Sequence, residues 1–198
     1  MDTGQQIAAH FICSSQQWQQ CPAPDRPEVA FIGRSNVGKS SLINMLTQQN
    51  GLAKVSSTPG KTQLINHFLI EESWYLVDLP GYGFAQVPKP IREQFEGMIR
   101  NYILNRQNLY CLFVLLDARH EPLRNDLEFI QWVGENGVPL ALVFTKSDKI
   151  GTQKRSNLLD SYKGTLAETW EELPPFFYTS ALRNEGRGEL LEYIHSFI

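Results

Sequence analysis

The stretch Gly33-Arg34-Ser35-Asn36-Val37-Gly38-Lys39-Ser40 decides how this chain is read. Two glycines stand with four residues between them, and Lys and Ser follow the second, the pattern of a phosphate-binding P-loop. Small residues in such a loop let successive backbone N–H groups converge on a phosphate, and the helix that follows adds its positive end. In that reading Lys39 supplies a point charge for the β- and γ-phosphates, and the Ser40 hydroxyl is a ligand for Mg²⁺. The context suits it, because the apolar run Val29-Ala30-Phe31-Ile32 precedes the loop and the helix-like Ser41-Leu42-Ile43-Asn44-Met45-Leu46 follows. The bland alternative is a tight strand-to-helix turn without a ligand.

From Val29 onward short apolar runs alternate with amphipathic stretches, the signature of helices packed on a mostly parallel sheet. Strands are expected near 29–33, 63–70, 74–78, 110–117, 139–145 and 175–179, and helices near 39–48, 90–106, 124–136, 153–170 and 188–197. Only Glu71-Glu72-Ser73 joins the second and third strands, too short for a parallel crossover, so that pair must form an antiparallel hairpin. The expected fold is α/β, a P-loop NTPase three-layer sandwich with a mostly parallel six-stranded sheet, one antiparallel strand and helices on both faces. Residues 28–198 read as one nucleotide-binding domain and 1–27 as an N-terminal extension, Gln-rich and ending in Pro-punctuated connector. Within it, Ala8-Ala9-His10-Phe11-Ile12-Cys13 adds an edge strand or belongs to a disordered leader.

Two polar, Gly/Pro-punctuated stretches are too long for ordinary connections: 50–62, with Thr58, Gly60, Lys61 and Thr62, and 81–90, with Tyr82, Gly83, Pro88 and Lys89. Both are placed to carry moving parts of a nucleotide-dependent protein.

Three further motifs lie at the ends of expected strands, where ligands bind in open α/β sheets. Asp78-Leu79-Pro80-Gly81 puts an Asp where it can hold Mg²⁺ through water, and a Gly whose N–H can reach a γ-phosphate. Thr145-Lys146-Ser147-Asp148 ends the run 140–144. There a carboxylate can accept two hydrogen bonds from guanine, adenine offers no such donor pair, and the Lys146 stem would lie on the base. Taken alone, it reads equally well as a capped helix start with Ser147 or Asp148 at the N-cap. Thr179-Ser180-Ala181 can place a backbone N–H on the base carbonyl, and is weak evidence by itself.

At 198 residues, with 42% apolar and 20% charged residues, the chain suits a single globular domain. A net charge of -3 argues against a generally basic nucleic-acid coat, while leaving room for a local basic face. Cys13, Cys21 and Cys111 are odd in number and lack CxxC spacing, which favours a reducing compartment. With no bilayer-length apolar run and no signal-peptide pattern at the polar N-terminus, a cytoplasmic protein is expected.

The motifs GRSNVGKSSLIN (33–44), TPGKTQLINHF (58–68), VDLPGYGFA (77–85), LLDARH (115–120), TKSDK (145–149) and TSAL (179–182) give the chain a closer resemblance. It resembles the EngB (YihA/YsxC) family of bacterial ribosome-assembly GTPases, TRAFAC-class P-loop proteins, over nearly its whole length from about Phe11. The resemblance implies a Mg²⁺-dependent GTP-binding switch acting with the large ribosomal subunit or its precursor, with effects on cell division and septation. It selects Thr62 over the nearly equal Thr58 as the switch residue that completes the Mg²⁺ shell. It also adds Ser41, Gly60, Lys61, Gln63 and Leu64 to the nucleotide-contacting set. Thr145 departs from the usual Asn of the base motif but keeps a hydroxyl.

Tyr82 stands where many GTPases place the Gln that orients the attacking water, so slow intrinsic hydrolysis is expected. Asn36 stands at the P-loop position that binds K⁺ in related GTPases, a substitute for an arginine finger, or it merely shapes the loop. Lys54, Lys61, Lys89 and Arg92 are candidate RNA contacts beside the two long loops. Arg34, Arg119 and Lys61 read as surface charges or partner contacts ahead of catalytic ones, His67 as structural, and Trp132 and Trp170 as packing residues.

Overall fold

The computed structural model describes residues 4–54, 64–82 and 89–198, Lys89 by its backbone alone. Its strands are β1 (Ala9–Ser15), β2 (Glu28–Gly33), β3 (Ile65–Ile70), β4 (Trp74–Asp78), β5 (Leu109–Asp117), β6 (Leu140–Thr145) and β7 (Phe176–Tyr178). The helices are α1 (Lys39–Thr47), α2 (Lys89–Asn105), α3 (Arg124–Glu135), α4 (Thr152–Ala167) and α5 (Arg187–His195). One seven-stranded sheet runs in the order β1-β3-β4-β2-β5-β6-β7. β3 runs antiparallel to β4 and to β1, and the ladders from β4 through β7 are parallel.

The expected hairpin is the β3–β4 pair. Glu71 and Glu72 close it with φ values of 49° and 54°, the left-handed pair that a type I′ turn requires. The expected edge strand is β1, which pairs with β3 through a bulge between Phe11 and Cys13 and extends the six strands to seven. The segment before it is tied to the body by the Ile7 N–H, which donates to the Thr47 carbonyl at 3.0 Å. The buried Arg187 guanidinium donates through Nε to Met45 O at 3.1 Å and Leu46 O at 2.9 Å, carbonyls at the end of α1, and through Nη2 to Gln5 O at 2.7 Å.

Period-two alternation sends successive β2 residues to opposite faces. Ala30 and Ile32 pack with α2, α3 and α4 through Ile99, Tyr102, Ile130, Val133, Leu158 and Tyr162. Val29 and Phe31 pack with α1 and α5 through Leu42, Ile43, Leu46, Leu190 and Ile194. Full burial of each such side chain stabilises by about 1.5–3 kcal/mol. Strands buried on both faces carry uninterrupted apolar runs, as parallel sheets require. Among the described residues no helix is long and apolar enough to cross a membrane.

A charge lies buried where β2 begins, at the other end of the strand from the P-loop. Glu28 accepts from Arg106 Nε at 2.9 Å and Nη2 at 2.5 Å and from the Tyr102 hydroxyl at 2.7 Å, and His67 Nε2 lies 3.2 Å away. Burial alone would raise its pKa, but these bonds outweigh burial and hold the carboxyl at about 2. His67 is thus the structural residue its strand position suggests. Glu28 locks the end of α2 and the middle of β3 to the central strand.

Candidate functional site

The P-loop leaves β2 at Gly33 and enters α1 at Lys39. A Cβ on Gly33 would stand 2.9 Å from both the Leu115 carbonyl oxygen and Val37 Cγ1, so no side chain fits there. Gly38 holds φ 106° at the N-cap of α1, a conformation open to glycine, and no side chain caps the helix. The first-turn N–H groups of α1 are left without a side-chain acceptor, an arrangement that suits an anion. Ser35 and Asn36 are exposed at the turn, Asn36 with φ 60°, while Val37 anchors the loop in the core.

β4 lies beside β2 in parallel, which brings Asp78 to the P-loop. The Lys39 ammonium donates to Asp78 Oδ1, and both side chains are buried. Burial pushes the Lys39 pKa down to about 7, so this cation requires an anionic partner, and Asp78 provides one here. Leu79, Pro80 and Gly81 follow in the core, with the Leu79 N–H donating to Phe31 O at 3.0 Å. Tyr82 donates its N–H to Gly33 O at 3.3 Å, and its ring stacks on Phe129 of α3 at 4.5 Å.

The second group of motifs converges on the same pole from β6 and β7. Thr145 Oγ1 donates to Val37 O at 2.6 Å and to Leu116 O at 3.2 Å, which ties the base motif to the P-loop. Lys146, at φ 57°, donates to Asn36 O at 2.6 Å and to Asp117 Oδ2 at 2.9 Å. The Ser147 N–H donates to Thr179 O at 3.1 Å, and the Ser180 hydroxyl donates to Asp148 Oδ1 at 2.7 Å. That bond, aided by Lys149, holds the Asp148 carboxyl below its usual range. The helix-start alternative is thereby set aside. The turn at 147–149 begins on Lys146 without a side-chain cap, and the Asp148 carboxylate is engaged by Ser180 instead. A cavity of about 180 Å³ lies between the groups, lined by Gly38, Ser41, Thr145, Asp148, Thr179 and Ala181.

Gly60, Lys61, Thr62 and Gln63, with Thr58, lie outside the described residues, and Leu64 is half-buried just before β3. Two supporting acids had no role in the sequence reading. Asp117 is held well below the carboxylate range, against its burial, by Arg119 and Lys146. Glu185 accepts from the Ser147 hydroxyl at 2.9 Å and from Arg155 Nη2 at 3.1 Å, and so braces the base motif from behind. Asp117, an acid closing a nine-residue strand that is otherwise without charge, was the available signal. Glu185 had none.

A P-loop, an Asp-x-x-Gly strand end, a Thr-Lys-Ser-Asp motif and a Thr-Ser-Ala loop, all at the carboxyl ends of neighbouring strands, define a P-loop GTPase. A family described as 50S ribosome-binding GTPase matches residues 28–146. Curated relatives named "Probable GTP-binding protein EngB" are similar over almost the whole chain. The protein of Porphyromonas gingivalis is 57% identical over 95% of this chain and 94% of its own, and that of Bacteroides fragilis (strain YCH46) 55% identical over the same shares. A crystal structure of a probable GTP-binding protein EngB superposes with a TM-score of 0.66 at 28% identity, covering 85% of this chain and 97% of that one. The chain belongs to the EngB family of GTP-binding proteins, and its reaction is hydrolysis of GTP to GDP and phosphate.

Proposed function

We propose that this GTPase is a Mg²⁺-dependent nucleotide switch in assembly of the large ribosomal subunit, slow in intrinsic hydrolysis and needed for normal cell division and septation. Residues 28–198 form the GTP-binding domain and 1–27 its extension. The protein acts as a cytoplasmic monomer on the large subunit or its precursor, with no membrane partner. The observation that carries the reading is the contact between Lys39 and Asp78. It joins the P-loop to the strand end from which the 81–90 stretch departs, so phosphates that recruit Lys39 also release Asp78.

The donor set suits the proposed metal. Ser40 and Asp78 offer hard oxygens, and among the described residues no group of three or more His, Cys, Asp or Glu is gathered. A Mg²⁺ site completed by phosphates and water requires no such group. Bound there, Mg²⁺ would neutralise charge on the β- and γ-phosphates, held by the Ser40 and Thr62 hydroxyls and through water by Asp78. Arg34 to Ser41 surround the phosphates, with Lys39 as the charge that follows the transferred phosphoryl group. Gly60 to Leu64 and Asp78 to Gly81 sense the γ-phosphate, and Thr145 to Asp148 with Thr179 to Ala181 hold the guanine. Asn36 is the proposed K⁺ ligand. Its side chain makes no hydrogen bond with any described residue, which supports its availability.

The burial of Tyr82 against Phe129 supports slow intrinsic turnover, since a ring packed there does not orient water. Charge and water positioning then come from the ribosomal partner or K⁺. The test is co-sedimentation of the GTP- and GDP-loaded protein with large subunits and their precursors, together with single-turnover hydrolysis with and without those particles. Nucleotide-dependent binding and faster hydrolysis on the particle support the reading. Equal binding in both states with unchanged turnover refutes it.

A further inference from the structure

Leu182 closes the Thr179-Ser180-Ala181-Leu182 motif, and it is 77% exposed, more than any other large apolar side chain among the described residues. A single exposed leucine is ordinary on a protein surface. What sets Leu182 apart is where it stands and how firmly it is held there. It belongs to the four-residue turn 181–184, at whose base Ser180 and Glu185 exchange backbone hydrogen bonds of 3.1 and 3.0 Å. Inside the turn the Arg183 N–H donates to Ser180 Oγ at 3.2 Å. From α1 the Gln48 side-chain amide donates to Asn184 Oδ1 at 2.9 Å. The exposed leucine is thus carried on a braced turn.

That turn stands between two cavities. Leu182 lines the cavity of about 180 Å³ formed by the base motifs, and also a groove of about 590 Å³ that passes Asn44 and Gln48 on α1. Ser41 and Ala181 line both as well, and of the three only Leu182 has a large apolar side chain. Lys146 enters the smaller cavity from another side. Its Cε lies 3.8 Å from where a Cβ on Gly38 would stand, and its ammonium is drawn away to Asn36 O and Asp117. The methylene stem therefore crosses the end of the P-loop, while the Leu182 turn is fastened to α1. A planar ring between the two meets aliphatic carbon on each face and leaves its edge to Asp148.

We propose that Leu182 is a guanine-binding residue whose side chain closes the base slot opposite the Lys146 stem and is buried by the nucleotide. This rests on the placement of guanine at the turn that holds Thr145 to Asp148, and it adds a contact to the plane of the base where Asp148 engages the edge. The two contacts do different work. An edge acceptor separates guanine from other bases, whereas a wall against the ring adds affinity without reading the edge. The phosphates lie at the other end of the ligand, so the wall contributes equally to GTP and GDP. Uniform binding of that kind sets KM and leaves kcat unchanged.

Leu182→Ala and Leu182→Met are compared with the wild type by calorimetric titration of unlabelled GDP and a non-hydrolysable GTP analogue, by steady-state hydrolysis, and by thermal unfolding without nucleotide. Leu182→Ala should bind both nucleotides about 5- to 20-fold more weakly and raise KM in proportion. Its kcat should stay within about twofold, and its melting temperature within about 2 °C, because the side chain is exposed in the free protein. Leu182→Met restores an apolar chain of similar volume and should bind within about twofold of the wild type. The alanine factor should recur for xanthosine diphosphate when Leu182→Ala is added to Asp148→Asn, since plane and edge act independently. Unchanged nucleotide affinity in Leu182→Ala overturns the proposal, as does a loss confined to GTP or one matched by a lower melting temperature. Loss of co-sedimentation with large subunits at unchanged nucleotide affinity also overturns it, and assigns Leu182 to a partner contact. Asp148→Asn alone tests the placement of the guanine, so a failure there is read apart from a failure of the Leu182 wall.

Discussion

The Ser180 hydroxyl donates to Asp148 Oδ1 at 2.7 Å, so the carboxylate that follows β6 is aimed by a hydroxyl that follows β7. Two short motifs, each ambiguous alone, thereby become one half of a binding site. The bond also fixes the charge state, because it holds the Asp148 carboxyl below its ordinary range.

Asp148→Asn should weaken GTP binding by about 10- to 100-fold, since a buried-face donor pair on the base loses its ionic acceptor. The same variant should gain affinity for xanthosine triphosphate, whose carbonyl accepts from the Asn amide. Because the folded pKa is lowered, the ionised acceptor persists throughout the range above about 3.9, and GTP affinity should be flat from about pH 5 to 8. Ser180→Ala removes the lowering bond, so its acid loss of binding should begin at higher pH. Titration of a fluorescent guanine nucleotide over that range is the check.

Thr145→Ala leaves the Val37 carbonyl without its 2.6 Å donor and unties β6 from the P-loop. A loss of about 1–3 kcal/mol in folding stability is expected, with weaker nucleotide binding besides. Thr145→Ser keeps the hydroxyl and should lie within about 1 kcal/mol of wild type. Urea denaturation of the nucleotide-free proteins separates the two outcomes.

Glu28 makes stability acid-sensitive. Its folded pKa of about 2 lies below the ordinary glutamate value of 4.5, so its contribution is fully present above 4.5 and is lost as pH falls toward 2. The shift corresponds to about 3 kcal/mol. Glu28→Gln should abolish that part of the acid dependence. It should also destabilise at pH 7 by about 3–5 kcal/mol, because the Arg106 guanidinium loses its buried partner. Equilibrium unfolding between pH 3 and 7 tests both, and unaltered acid dependence in Glu28→Gln would count against the assignment.

Replacement of K⁺ by Na⁺ should slow wild-type GTP hydrolysis by at least about tenfold if Asn36 helps to hold a cation that supplies transition-state charge. Asn36→Gly tolerates the φ of 60° and removes the side-chain ligand, so its hydrolysis should no longer distinguish the two ions. Equal rates in K⁺ and Na⁺ for the wild type would discard the role.

Much of this site is local and therefore legible. Gly33 and Gly38 announce themselves because only glycine tolerates the close approach of Leu115 and a φ of 106°. The hairpin follows from a connection too short to cross over, although Glu71 and Glu72, poor candidates for left-handed backbone, are the residues that turn it. His67 was legible as structural, but Glu28 was not legible as its partner, because a glutamate at the head of a strand looks like a surface charge until α2 closes over it. Lys146 shows the same limit. Chain chemistry suggests an alkyl stem beneath a base, while the fold reveals where its ammonium is anchored, on Asn36 O and Asp117.

The sequence by itself determined the phosphate-loop motif, the alternation of strands and helices, the family and the motifs that gather at the candidate site. Each of these depends on spacing within a few residues or on the period of burial. Only the tertiary structure decided which strand ends stand side by side, and with them the contacts made across the chain. Lys39 meets Asp78 because β4 is placed next to β2, and Thr145 reaches Val37 across 108 residues because β5 and β6 extend the parallel sheet on β2's other side. The buried Asp126 of α3, which meets the Tyr82 hydroxyl from beyond β4, belongs to the same category. Whether a polar atom has a partner depends on everything that folds against it, which no local pattern encodes.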